Sequence, residues 1–150
     1  MKLHFLGGAN EVGASCTLLE IEGQRVLIDA GIRMGAPQGS HLPNFSVLDD
    51  VGRPDEVLIT HAHTDHTGAL PVLASALDAG TRLLCTPATK AITRVLLSDA
   101  VKIMSIKEEG EGELPLYPPE AADAVLARMQ DVPWLTTVPI CDGNLKATWI

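Results

Sequence analysis

Branched apolar residues alternate with polar ones, or run on without a break, at three places near the start of the chain. They mark Lys2 to Leu6, Cys16 to Ile21 and Arg25 to Asp29 as β-strands. Glu22 to Gln24 is a tight hairpin turn, so the opening is antiparallel. A glycine-rich loop, Gly7 to Ser15, joins the first two strands, and Gly31 to Asn44 forms a long irregular connection. Loops of that length in a compact domain tend to carry function. Glu56 to Thr60 is a short buried strand. After His66 the period becomes helical, with Leu70, Leu73, Ala74 and Leu77 on one face and Ala79-Gly80 closing the helix. Thr81 to Cys85 is a further short strand.

Thr86 then caps a second helix with Pro87 at its first position. Its core-facing stripe is Ile92, Val95, Leu96, Ile103 and Met104, at spacings of three and four. Lys90 with Arg94, and Asp99 with Lys102, fall off that stripe and form a solvated face. Glu108 to Glu120 is a loop, followed by a third helix from about Pro119 to Gln130. Trp134 to Cys141, a turn at Asp142 to Asn144, and a strand over Leu145 to Ile150 end the chain. Strands and helices follow one another without repeat or internal boundary, which gives an α/β (α+β) fold in one unit.

Composition narrows the class. With 150 residues, 46% of them hydrophobic, the chain can bury a core. A net charge of −8 argues against a broad basic face for nonspecific nucleic-acid binding. It leaves room for a nuclease, because much of the acidity sits in Glu108, Glu109, Glu111 and Glu113. Three cysteines, Cys16, Cys85 and Cys141, lie in apolar runs with neither a CxxC pair nor an even count. They are small buried hydrophobes of a reducing compartment, and the chain is expected in the cytoplasm. The start lacks the profile of a signal peptide, and no apolar run reaches the ~20 residues a membrane span needs.

The chemistry is concentrated in THAHTDHTGALP, Thr60 to Pro71, where His61, His63, Asp65 and His66 fall within six positions at a strand end. Imidazole nitrogens and carboxylate oxygens suit zinc and similar divalent ions. On extended backbone His61 and His63 project to one side and can grip one ion. Asp65 and His66, where the loop turns into helix, point elsewhere and can grip a second. Two such ions activate water for hydrolysis. His4, isolated on a strand, and His41, isolated in a loop, are structural.

HAHTDH matches the HxHxDH signature of the metallo-β-lactamase superfamily. The flanks resemble its β-CASP branch, the RNA- and DNA-processing nucleases that include the cleavage and polyadenylation factor nuclease and ribonuclease J. GGANEVGASCTLLEIEGQRVLIDAGIRMG is similar to that branch's first strands, IDAG carries its first-motif aspartate at Asp29, and TPATKAITRVLLSDAVKI resembles the helix that follows. The resemblance implies half of an αββα sandwich, a mixed sheet with helices on its outer face. It implies two zinc ions in the complete protein, bound by His61 and His63 and by Asp65 and His66. Asp65 would also orient or deprotonate the attacking water, and Asp29 would steady the ligand loop by hydrogen bonding without ligating metal. The partner would be RNA, or DNA, with no membrane.

Two ligands per ion are fewer than the three a catalytic zinc keeps. In the branch the others come from downstream, so residues 1–150 are expected to be the front portion of the domain, ending before the third ligand motif. Such a chain would hold zinc partially or not at all and be inactive alone. Asp142 belongs to an ordinary turn. The final strand, with Trp149 and Ile150 uncovered, is expected to be a sheet edge that promotes self-association. Two other functions stay open: hydrolysis of small thioesters or lactones, and a non-catalytic fragment that associates with itself.

Overall fold

The computed structural model describes residues 1–150. A six-stranded sheet runs in chain order through β1 (Lys2–Gly7), β2 (Cys16–Ile21), β3 (Gln24–Ile28), β4 (Glu56–Leu58), β5 (Arg82–Cys85) and β6 (Met129–Asp131). The first three strands pair antiparallel and the next three join parallel, so the sheet is mixed, as expected. Helices α1 (Val47–Val51), α2 (Thr64–Thr67), α3 (Leu70–Ala76), α4 (Pro87–Glu111) and α5 (Pro119–Arg128) make the connections. A separate hairpin of β7 (Thr137–Ile140) and β8 (Leu145–Thr148) closes the chain.

Period-two alternation sends neighbouring residues to opposite faces, and here both faces are apolar. Leu18, Leu27, Val57, Leu83 and Cys85 face the helices, where they pack with Leu70, Leu73, Leu97, Val125 and Leu126. Val26 and Leu84, with partly buried Leu19, Ile28 and Leu58, face the hairpin and pack with Val132, Ile140 and Trp149. Helices therefore cover one face and the hairpin covers part of the other. No helix is long and apolar enough to cross a membrane.

Several expectations need correction. The strand expected over Glu56 to Thr60 stops at Leu58. Helix α4 continues to Glu111, where a loop had been expected from Glu108, and ends on Gly112 in the left-handed region at φ 68°. There the Gly112 amide donates to the Glu108 carbonyl and the Glu113 amide to that of Lys107. The buried face of α4 is Thr89, Thr93 and Leu97, about a quarter turn from the stripe read in the sequence. Ile92, Val95 and Ile103 point outward, while Thr89 and Thr93 take the buried side. The third helix ends at Arg128, and the next three residues enter the sheet as β6, whose length gave no periodic signal. The last strand is not an edge of the main sheet. It pairs with β7, and Trp149 is buried, its indole Nε1 donating to the Ile59 carbonyl at 2.9 Å. Of the final two residues only Ile150 is left uncovered.

Candidate metal centre

The chain leaves β4 at Leu58, runs on through Ile59 to the histidines, and turns into α2 at Thr64. Three segments interlock there. From the β3 exit, Asp29 N donates to Leu58 O, Ala30 N to His66 O and Ile32 N to Thr64 O, at 2.9, 2.8 and 3.2 Å. From the β1–β2 loop, Ser15 N donates to Asp65 O at 2.9 Å and Ser15 O accepts from Gly31 N at 3.0 Å. Gly31 makes this possible: a Cβ on it would lie 1.5 Å from Asp65 O. Inside the turn, the buried Thr67 hydroxyl donates to the Ala62 and His63 carbonyls, each at 3.1 Å.

Asp29 is 2% exposed and accepts three hydrogen bonds, all at 2.8 Å, from Thr60 N, Thr60 Oγ1 and His66 Nδ1. Its φ of 61° lies in the left-handed region, which aspartate tolerates better than most residues. The proton positions follow from this network. His66 must carry its proton on Nδ1, since a carboxylate only accepts, and that leaves the Nε2 lone pair free. Thr60 gives its single hydroxyl proton to Asp29, so at 3.0 Å it accepts from His61 Nδ1. His61 therefore also presents a bare Nε2. Burial, with His66 beside it, holds the His61 imidazole below the ordinary histidine value and favours the neutral form.

The four motif side chains are neighbours. The His61 ring centroid lies 4.0 Å from that of His66 and 4.8 Å from that of His63, and His66 Nε2 is 3.6 Å from Asp65 Oδ2. The ring distances put His61 nearer to His66 than to the His63 with which the sequence pairs it. The donors are of the kinds that suit divalent ions such as zinc, yet no three His, Cys, Asp or Glu side chains are arranged to hold one metal ion. The remaining candidates lie apart from this group. His4 bonds Glu20 across the sheet at 3.1 Å. His41 lines a cleft that also includes Thr64 and Gly68 of the motif turn but none of the four motif side chains. Asp142 lines a polar pocket with Glu56, which begins β4, whereas the motif follows that strand's other end.

Two contributors went unassigned in the sequence reading. Thr60 stands directly before the motif, and its role needs Asp29 to be near, which no local pattern reveals. Gly31 follows Asp29 by two positions, and only the close approach of Asp65 explains it.

The family described as the metallo-beta-lactamase superfamily matches residues 9–140. Among curated proteins, the chain is 34% identical to Endoribonuclease YSH1 of Eremothecium gossypii over 138 residues, covering 90% of this chain and 18% of that protein. It is 34% identical to Cleavage and polyadenylation specificity factor subunit 3-II of Arabidopsis thaliana, over 73% of this chain and 18% of the relative. Integrator complex subunit 11 of Danio rerio is 36% identical, over 74% and 19% respectively. The chain thus spans less than a fifth of the length of these relatives. Among solved structures, an archaeal metallo-beta-lactamase superfamily protein from Sulfolobus tokodaii superposes with a TM-score of 0.53 at 22% identity, over 96% of this chain and 52% of that one. A subclass B3 metallo-beta-lactamase from a soil metagenome library gives 0.51 at 17% identity, over 87% and 44%. These two likenesses establish the fold. With the mixed sheet, the motif at its strand end and a match over most of its length, the chain belongs to the metallo-beta-lactamase superfamily.

Proposed function

We propose that this chain is the front portion of a zinc-dependent phosphodiesterase that cleaves RNA, with His61 and His63 holding one ion and Asp65 and His66 the other. Members of its superfamily are metal-dependent. Bound zinc supplies Lewis-acid polarisation of a phosphoryl oxygen and makes attack by water feasible near neutral pH. The protein's own part is to present the donors. Asp29, through His66 directly and His61 by way of Thr60, fixes which nitrogen each ring offers. Asp65 accepts the proton of the attacking water. Only the His66 ring stands beside its carboxylate, at 3.6 Å, and no Lys or Arg pairs with it.

The observation that carries the reading is the shared Asp29 carboxylate, which tethers donors from two parts of the motif in a chain similar to endoribonucleases. RNA is favoured over DNA, and over small thioesters or lactones, because those relatives are named for RNA cleavage. The buried, unpaired cysteines suit a reducing compartment such as the cytoplasm. One observation favours a second reading for the chain by itself: the motif does not complete a metal cage, so alone it is a folded, inactive part. Self-association, in this reading, uses the unpaired backbone edge of β8 and not the covered Trp149. The test is zinc-dependent cleavage of a labelled RNA oligonucleotide by the longest polypeptide that carries this segment. Cleavage lost in His63→Ala supports the proposal, whereas thioester turnover without RNA cleavage refutes it.

A further inference from the structure

A cleft of about 280 Å³ opens beside the motif turn, between the loop after β3, the outward side of α4 and residues 113–117. Thr64 and Gly68, which bracket Asp65 and His66, form one end of it. Ile32, Met34, Leu96, Ile103 and Leu114 make its walls apolar. Its charges are unevenly matched. Glu11 holds Arg33 through two contacts of 2.7 Å, and Glu113 holds Lys107 at 3.1 Å. Asp99 lines the same cleft without an ion-pair partner, and His41 contributes a buried Nδ1 that has no hydrogen bond.

We infer that this cleft is a base-binding subsite, which seats one unpaired nucleobase of the RNA next to the scissile phosphodiester. The inference deepens the RNA-cleaving reading and rests on it. Size is the first argument: the volume lies just under the roughly 300–1,000 Å³ of drug-sized ligand sites and suits a single ring system. Apolar walls with a flexible methionine suit a flat π-face. Charge is the second argument. The one unpaired charge is negative and repels phosphate, so the part of a nucleotide that enters is the uncharged base. A carboxylate accepts from an exocyclic amino group, which cytosine and adenine have and uracil lacks. The unpartnered His41 Nδ1 gives the base edge a second polar contact. The cleft therefore selects amino-bearing bases beside the cut.

The test is methyl-resolved NMR of the chain, labelled at methionine and isoleucine, with CMP, AMP and UMP as probes and no metal present. The Met34 and Ile103 methyls are expected to shift with CMP and AMP, and roughly tenfold more weakly with UMP, the loss of one hydrogen bond to a charged group. Ile103→Asp, at an outward-facing position, removes the response while the other methyls keep their places. Asp99→Asn keeps the fold and erases the base preference. Cleft methyls that stay still, or that answer CMP and UMP equally, overturn the proposal. So does a shift produced by raising protein concentration alone, which assigns the cleft to a second copy. Cleavage is read separately: RNA cleaved without cleft shifts sinks only the subsite, and cleft shifts without cleavage sink only the nuclease.

Discussion

Replacing Asp29 separates its structural load from its part in presenting the metal donors. The carboxylate accepts three hydrogen bonds of 2.8 Å while almost wholly buried. Bonds to a charged acceptor are each worth about 1.5–3 kcal/mol net, and water can reach the exposed Thr60 once the carboxylate is gone. About 3 kcal/mol is then lost from the network in Asp29→Ala. Alanine at φ 61° adds about 1 kcal/mol of left-handed strain, for a total of about 4 kcal/mol. Asparagine accepts that backbone and keeps one carbonyl oxygen for Thr60 N, so Asp29→Asn should cost only about 1–2 kcal/mol. Its effect on the donors should be larger than its effect on the fold. The amide NH₂ faces His66 Nδ1, which must then accept, and the His66 proton moves to Nε2. Loss of such an orienting partner lowers metal affinity about 10- to 100-fold. Urea unfolding measures the first quantity, zinc titration the second, and long-range ¹⁵N–¹H correlation of the imidazoles reads the tautomer. If Asp29→Asn leaves zinc affinity within threefold and His66 still protonated on Nδ1, the orientation argument is refuted.

Gly31→Ala should destabilise the chain by more than about 3 kcal/mol and abolish zinc binding, because the new Cβ would meet Asp65 O at 1.5 Å and push the ligand turn away; calorimetric unfolding and zinc titration check both. Trp149→Phe removes the bond to the Ile59 carbonyl at a buried site, costing about 1–3 kcal/mol in urea unfolding while zinc affinity stays unchanged. Burial pushes the Cys16 thiol up to about 12 and those of Cys85 and Cys141 up to about 11. Iodoacetamide should therefore label the native chain slowly at pH 8 and all three sites quickly in denaturant. The raised thiols also set a sign: their contribution is whole below pH 9, where thiols are neutral in both states. It falls between pH 9 and about 12 as the unfolded chain ionises first, which stability curves against pH will show.

Much of the fold could be read because its signals are local. Thr86 and Pro87 start α4 as expected, and the Thr86 hydroxyl accepts from Thr89 N. The alternation in β2 and β3 gives the antiparallel opening. What escaped depends on contacts distant in sequence. β6 is three residues long and is a strand only because β5 lies beside it. The face that α4 buries, Thr89, Thr93 and Leu97, is set by its neighbours in the fold, and its apolar outward residues misled a reading based on periodicity alone. Trp149 looked uncovered because its partner, the Ile59 carbonyl, is 90 residues earlier. At the site the spacing picked out four side chains that do lie together, whereas Thr60 and Gly31 acquire roles only when the β3 exit is laid against the motif turn.

The central claim is that His61, His63, Asp65 and His66 are the metal-holding residues, and zinc titration of the 150-residue chain by calorimetry tests it most directly. With two donors per ion and no complete cage, binding should be weak, lost in His61→Ala and in His63→Ala, and unchanged in His4→Ala and His41→Ala. Zinc binding that survives His61→Ala and His63→Ala, or that vanishes with His4 or His41, would contradict the account.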